Sequence, residues 1–233
     1  MSERAELVHL LVLAKAPVAG RVKTRLCPPF TDDEAARLAE AALRDTLAAV
    51  AQTPAVARTV VLDGQPGAWL PSSFTVQPQR GGGLDERLAA AFDDAWAQTA
   101  APLLLVGMDT PQVTPALLTA AVGRLLSVGT DAVLGLAVDG GWWALGLRRP
   151  DASLLLGVPM STDHTGAVQQ ARLAGAGLSV ALLPALTDVD DAGDARAVAA
   201  QCPTSRFAVV LSGMVTDAPG TDRPEDRAER VTV

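Results

Sequence analysis

Two hydrophobic rhythms alternate along the chain. Short, nearly continuous apolar runs of strand length fall at 7–14, 58–62, 103–108, 131–138 and 178–183, and between several of them apolar residues return every three or four positions. Unbroken apolar runs suit strands covered on both faces, and the intervening period suits amphipathic helices. Shorter strands are predicted at 74–77 and 142–146, and helices over 31–51, 84–98, 115–127, 161–174 and 191–200. Thr31, followed by Asp32, Asp33 and Glu34, provides a cap and an acidic first turn for the longest helix. Gly175 and Gly177 stop the fourth. This alternation predicts an α/β fold with a mostly parallel central sheet flanked by helices, in a single domain over 1–215. Residues 216–233 are polar and proline-bearing and read as a flexible tail.

With 233 residues, 49% of them hydrophobic and 19% charged, the chain has ample material for a core. A net charge of -7 argues against nucleic-acid binding, which needs a broad basic face. No apolar run reaches membrane-spanning length, and the first residues make a poor signal peptide. Cys27 and Cys202 lack metal-type spacing, so a cytoplasmic protein with two free thiols is expected. The oligomeric state stays open, a homodimer included.

Against this acidic background one segment is basic. The chain has two lysines, Lys15 and Lys23, and both lie in AKAPVAGRVKTRL, directly after the first predicted strand. With Arg21 and Arg25 they place four cations within eleven residues. Ammonium groups on flexible stems suit the wrapping of phosphate oxygens, although a solvated basic loop has the same composition. Gly20 allows close backbone approach to a ligand. The segment lacks the earlier glycine of a Walker A loop, and no G-x-G-x-x-G follows the strand.

Other candidates also lie beyond strand ends, where open α/β sheets bind ligands. Asp109, in GMDTP, ends a buried strand and is placed to ligate Mg2+, which favours one or two carboxylates plus substrate phosphates; a turn cap is the plainer role. Asp188, Asp190 and Asp191 cluster in TDVDDAGDA, where one caps the following helix and another completes the metal site. Asp139-Gly140-Gly141 reads both as a hairpin turn and as a place for a ligand to lie against the main chain. Trp142 and Trp143 follow it, and on a strand only one of them can face a pocket. Gly82, within PQRGGGLDERL, can bring backbone amides to a base or sugar. His164 reads as exposed or capping.

Taken in order, these motifs resemble a bacterial family of GT-A-like transferases. KAPVAGRVKTRL is similar to its K-x-P-x-x-G-x-V-K-T-R-L signature. GMDTP resembles G-S-D-x-P, DGGWWALGL resembles D-G-G-Y-x-L-I-G-L, Ser161-Thr162 resembles W-S-T, and DVDD resembles D-V-D-T. The resemblance covers about residues 7–200. Members are often labelled glycosyltransferases linked to arsenosugar or selenium gene clusters. The layout is also similar to guanylyltransferases that activate phospholactate or phosphoenolpyruvate, and to sugar-nucleotide pyrophosphorylases, whose base-recognising Q-x-x-x-L-G segment is matched loosely by Gln79 and Leu84. Met108, Met160, Trp142-Trp143 and Asp191-Ala192 depart from the family pattern and bear on the acceptor.

The resemblance implies a nucleotide-diphospho-sugar transferase fold. It implies nucleotide binding by Lys15, Gly20, Lys23, Thr24, Arg25, Gln79, Gly82 and Leu84, and metal binding by Asp109 and Asp190. Gly140, Gly141, Trp142, Ser161 and Thr162 would meet the acceptor. The expected activity is Mg2+-dependent transfer of a nucleotidyl group from an NTP to a small phosphate- or phosphonate-bearing acceptor, with Lys23, Arg25 and Asp109 central to catalysis. A GT-A glycosyltransferase using an NDP-sugar, and a non-catalytic nucleotide-binding protein, are the alternatives.

Overall fold

The structure, a computed structural model, describes residues 8–216. The strands are β1 (His9–Lys15), β2 (Ala57–Asp63), β3 (Thr75–Pro78), β4 (Leu103–Gly107), β5 (Ala132–Ala137), β6 (Trp142–Leu147) and β7 (Val180–Leu186). The helices are α1 (Asp32–Gln52), α2 (Leu84–Thr99), α3 (Pro115–Leu125), α4 (Thr165–Gly175), α5 (Ala192–Gln201) and α6 (Arg206–Thr216). All seven strands form one sheet in the order β3-β2-β1-β4-β6-β5-β7. Only β6 runs antiparallel to its neighbours, which makes the expected mostly parallel sheet.

Helices on both faces account for the unbroken apolar runs. In β1, Leu10, Val12 and Ala14 face a core built with α1 and α3. Leu11 and Leu13 face the opposite core, built with α2 and α4. Polar residues in such a strand would be buried whichever way they pointed. His9 shows what that requires: its ring is fully buried between the hydroxyls of Thr59 and Thr99, at 2.8 and 3.3 Å. Burial pushes its pKa down.

α1 has the full capping box that Thr31 and Glu34 suggest: the Thr31 hydroxyl accepts from the Glu34 N–H, and the Glu34 carboxylate accepts from the Thr31 N–H. A second stripe of α1, including Ala35, Leu38 and Ala42, packs against Phe207, Leu211 and Met214 of α6. The hydrophobic pattern did not predict α6. Each of its large side chains stabilises the fold by roughly 1.5–3 kcal/mol through burial. Asp45 anchors its first turn, accepting from the N–H groups of Arg206 and Phe207 at 3.1 and 2.9 Å. The helix expected from 161 begins only at Thr165, because Ser161 has a positive φ of 58° and breaks the helical path. The tail expected from 216 lies outside the described residues, apart from Thr216 at the end of α6.

The order of the strands locates the site. From β1 the chain moves outward through β2 and β3, then returns to β4 on the other side of β1. The loops leaving β1 and β4 therefore diverge, and a crevice opens between them at the carboxyl ends of the strands.

Candidate active site

After β1 the chain turns at Gly20, buries Val22 and enters Lys23 in the left-handed region, at φ 51° and ψ 38°. A short 3-10 turn, Thr24–Leu26, follows, with Leu26 fully buried beside α1. A non-glycine residue in this conformation costs about 1–2 kcal/mol and persists where its surroundings hold it. Here they do. The Lys23 Nζ lies 3.0 Å from Oδ1 of Asp109 and 3.2 Å from Oδ1 of Asp190, with its side chain only 10% exposed. Burial works against its charge, but attraction to Asp109 and then Asp190 outweighs burial and leaves the Lys23 pKa above its ordinary value. Arg25 reaches the other oxygen of Asp190, at 3.3 Å.

Backbone and side-chain hydrogen bonds bring the two aspartates together. The Val189 N–H donates to the carbonyl of Asp109 at 3.0 Å, and the Gln112 amide donates to the carbonyl of Thr187 at 2.7 Å. Asp191 caps α5, accepting from the N–H groups of Gly193 and Asp194 at 2.7 and 2.9 Å. That leaves Asp190 free to face Asp109. Two carboxylates thus converge on one cation position, held by the lysine ammonium. This arrangement fits Mg2+, which takes one or two carboxylates and completes its shell with phosphate and water oxygens. Among the described residues no group of three histidines, cysteines, aspartates or glutamates forms a cage that would hold a metal unaided.

Two hollows meet at this point. One is basic, lined by Lys15, Arg21, Lys23, Thr24 and Arg25. The other is a cleft of about 480 Å³, a volume typical of small-molecule sites. They share Arg25, Met108, Asp109, Ser161 and Asp190. Leu84, Leu88, Leu105, Trp142 and Met160 form the apolar wall of the cleft, while Thr110, Gly141 and Thr162 add polar lining. The tightest Lys23 contact, to Asp109, and the left-handed Ser161 both lie where the hollows join.

Four predicted site residues line neither hollow. Gly20 makes its turn beside Asp32 at the start of α1. The Gln79 amide is used internally, donating to the carbonyls of Ala14 and Val61 at 2.9 and 3.2 Å, so it ties β1 to β2. Gly82 donates to the Glu86 carboxylate at 2.7 Å. Gly140, with φ 91°, does permit a close approach, but to the chain itself: a Cβ there would lie 1.8 Å from the carbonyl oxygen of Asp163. The Asp139-Gly140 turn is the hairpin joining β5 to β6. The two tryptophans divide as alternation requires. Trp142 packs on the α2 side, whereas Trp143 is buried on the other face and donates to the carbonyl of Pro184 at 3.0 Å.

Asp139 and Asp188, both within motifs the sequence offered, line the cleft as further carboxylates, and the structure adds Asp163. Asp188 and Asp190 both line the cleft, with the buried Val189 between them in the segment after β7. Burial first, then repulsion from Asp109 and Asp139, raises the Asp188 pKa to about 7. A carboxyl raised in the folded state stabilises the protein fully below its unfolded pKa, and that contribution is lost as pH rises through 7. Asp188→Asn should therefore raise the melting temperature of the metal-free protein at pH 8 and leave it nearly unchanged at pH 4. The full shift sets a ceiling of about 4 kcal/mol, which relaxation around the half-buried group reduces to about 1–2 kcal/mol. Thermal melts at the two pH values check this; an equal change at both would exclude titration as its origin.

The fold is shared with known structures. A Desulfovibrio desulfuricans G20 protein provisionally assigned as a nucleotide-diphospho-sugar transferase is 25% identical over 90% of this chain and 95% of its own, with a TM-score of 0.82. Rv0371c from Mycobacterium tuberculosis H37Rv is 21% identical over 83% of this chain and 98% of its own, with a TM-score of 0.50. A 4-diphosphocytidyl-2C-methyl-D-erythritol synthase is 12% identical over 84% of this chain and 98% of its own, with a TM-score of 0.54. These last two likenesses concern the fold alone. No curated protein matches the chain by sequence. A family profile does match, over residues 35–162, from α1 through the hairpin to Ser161-Thr162. The chain therefore belongs to the family described as an uncharacterized protein conserved in bacteria, DUF2064.

Proposed function

We propose that this protein is a metal-assisted nucleotidyltransferase that takes an NTP and releases pyrophosphate. The observation that carries the reading is the junction of a basic hollow with a ligand-sized cleft at Asp109 and Asp190. In it, Lys15, Arg21, Lys23 and Arg25 bind the triphosphate, and Thr24 adds a hydroxyl. Asp109 and Asp190 hold a divalent cation, Mg2+ in our reading, which neutralises charge on the phosphate oxygens. The acceptor enters from the cleft along Trp142, Gly141, Ser161 and Thr162. Its oxygen meets the α-phosphorus at the junction, and the chain's contribution is alignment and charge neutralisation, with no covalent nucleophile required.

Glycosyl transfer from an NDP-sugar is the second reading, favoured by the provisional assignment of the Desulfovibrio desulfuricans protein. Incubation with Mg2+, a mixture of small alcohols and phosphate esters as acceptors, and either an NTP or an NDP-sugar separates the two. Pyrophosphate formed from the NTP supports the first, NDP formed from the sugar nucleotide supports the second, and nucleotide binding with neither product leaves only a binding protein.

A further inference from the structure

We infer that the cleft takes an acceptor alcohol carrying no negative charge, a neutral polyol or an amino alcohol, and rejects phosphate esters. This rests on the transferase reading above and replaces the phosphate-bearing acceptor expected from the sequence. The charges around the junction are sorted. Lys15, Arg21 and Lys23 line the basic hollow and not the cleft. Arg25 is the cleft's cation, and its guanidinium is turned to Asp190 at 3.3 Å. Asp139, Asp163 and Asp188 line the cleft besides the two aspartates at the junction. An acceptor phosphate would bring about two negative charges toward these carboxylates, with its own oxygens able only to accept hydrogen bonds.

A second observation points to what does fit. Thr110 lines the cleft and is only 1% exposed, and its buried Oγ1 has no hydrogen-bond partner among the described residues. Trp142 and Asp188, both half-buried, line it too, and Nε1 of the one and Oδ1 of the other are likewise buried without a partner among the described residues. Buried polar atoms are costly to leave unpaired, so these three describe the ligand that completes them. Asp188 needs a donor, the Trp142 indole N–H needs an acceptor, and the Thr110 hydroxyl takes either. Hydroxyl groups satisfy all three. An ammonium group would satisfy Asp188 and gain from the surrounding carboxylates. The wall of Leu88, Leu105 and Met160 suits the C–H face of such a molecule. In the step that follows, the acceptor hydroxyl oxygen bonds to the α-phosphorus. The bond from that phosphorus to the bridging oxygen breaks, pyrophosphate leaves with the electron pair, and the hydroxyl proton passes to solvent.

The test has two arms. In the first, at pH 8 and without nucleotide, emission of Trp142 is isolated as the difference between the wild type and Trp142→Phe and is quenched with caesium, acrylamide and iodide. Relative to free tryptophan, caesium should quench at least fivefold more effectively than iodide; equal quenching or an iodide preference overturns the proposal. In the second, pyrophosphate release from an NTP with Mg2+ is measured with glucose, glucosamine and glucose 6-phosphate, which share a scaffold and differ in charge. The better of the first two should exceed the phosphate ester at least tenfold, and an equal or reversed order overturns the proposal. Should NTP with Mg2+ fail to bind at all, the transferase reading falls, while the quenching ratio still decides the charge the cleft admits.

Discussion

Asp109→Asn is expected to weaken Mg2+-dependent nucleotide binding by at least a hundredfold while leaving the fold intact. The position follows a buried strand and faces the ammonium of Lys23 at 3.0 Å, so the amide substitutes for the carboxylate in nearly the same volume. What is lost is one of two anionic ligands for a cation that no group of three such side chains among the described residues would cage. A hundredfold loss corresponds to about 2.7 kcal/mol, within what a charged metal ligand contributes. Calorimetric titration of an NTP with and without Mg2+ measures it, alongside a melt to check folding. A variant that binds nucleotide with an unchanged response to Mg2+ would remove Asp109 from the metal site.

Lys23→Met should produce two separable losses. Without metal, Asp109 and Asp190 face each other with their shared cation gone. Breaking a fully buried pair costs about 3–5 kcal/mol, and because both aspartates are more than a third exposed the expected loss is about 2 kcal/mol. Millimolar Mg2+ should restore much of this stability by replacing the ammonium. The second loss is in ligand binding: triphosphate affinity should fall about ten- to hundredfold and nucleoside affinity hardly at all, since charge-assisted bonds contribute roughly 1.5–3 kcal/mol. Lys23→Arg should recover part of both, keeping the charge without the compact geometry. Melting curves with and without Mg2+, and titrations of an NTP, its diphosphate and its nucleoside, give the answer. Equal loss across the three ligands would reduce Lys23 to a support for its loop.

The elements covered on both faces were legible because burial imposes a pattern on them. The run around Leu10–Ala14 has no room for polar residues, and Asp139-Gly140 between two such runs dictates a hairpin. That the lysine segment and Asp109 lie at the same end of the sheet was also legible, since both follow parallel strands. Other features depend on partners distant in the chain. α6 was missed because FAVVL reads equally as a strand, and only its match to the second stripe of α1 makes it a helix. Gln79 looked available for a base until β1 and β2 placed two carbonyls beside it. That Lys23 straddles two aspartates 86 and 167 residues further along is a tertiary fact without a local sign. The sign of the cleft is likewise a sum over residues from several separate segments.

The hairpin at Gly140 is locked to the segment that precedes α4. Its backbone is seated against Asp163, and Gly166 donates to the carbonyl of Gly140 at 2.8 Å, in a contact where a Cβ at Gly166 would lie 2.5 Å from the carbonyl oxygen of Gly141. With main chain on main chain and no side chains between them to yield, the hairpin and the Ser161-Thr162 segment form a fixed jaw. A ligand entering the cleft therefore meets one wall whose width is set by backbone and cannot be changed by a rotamer switch.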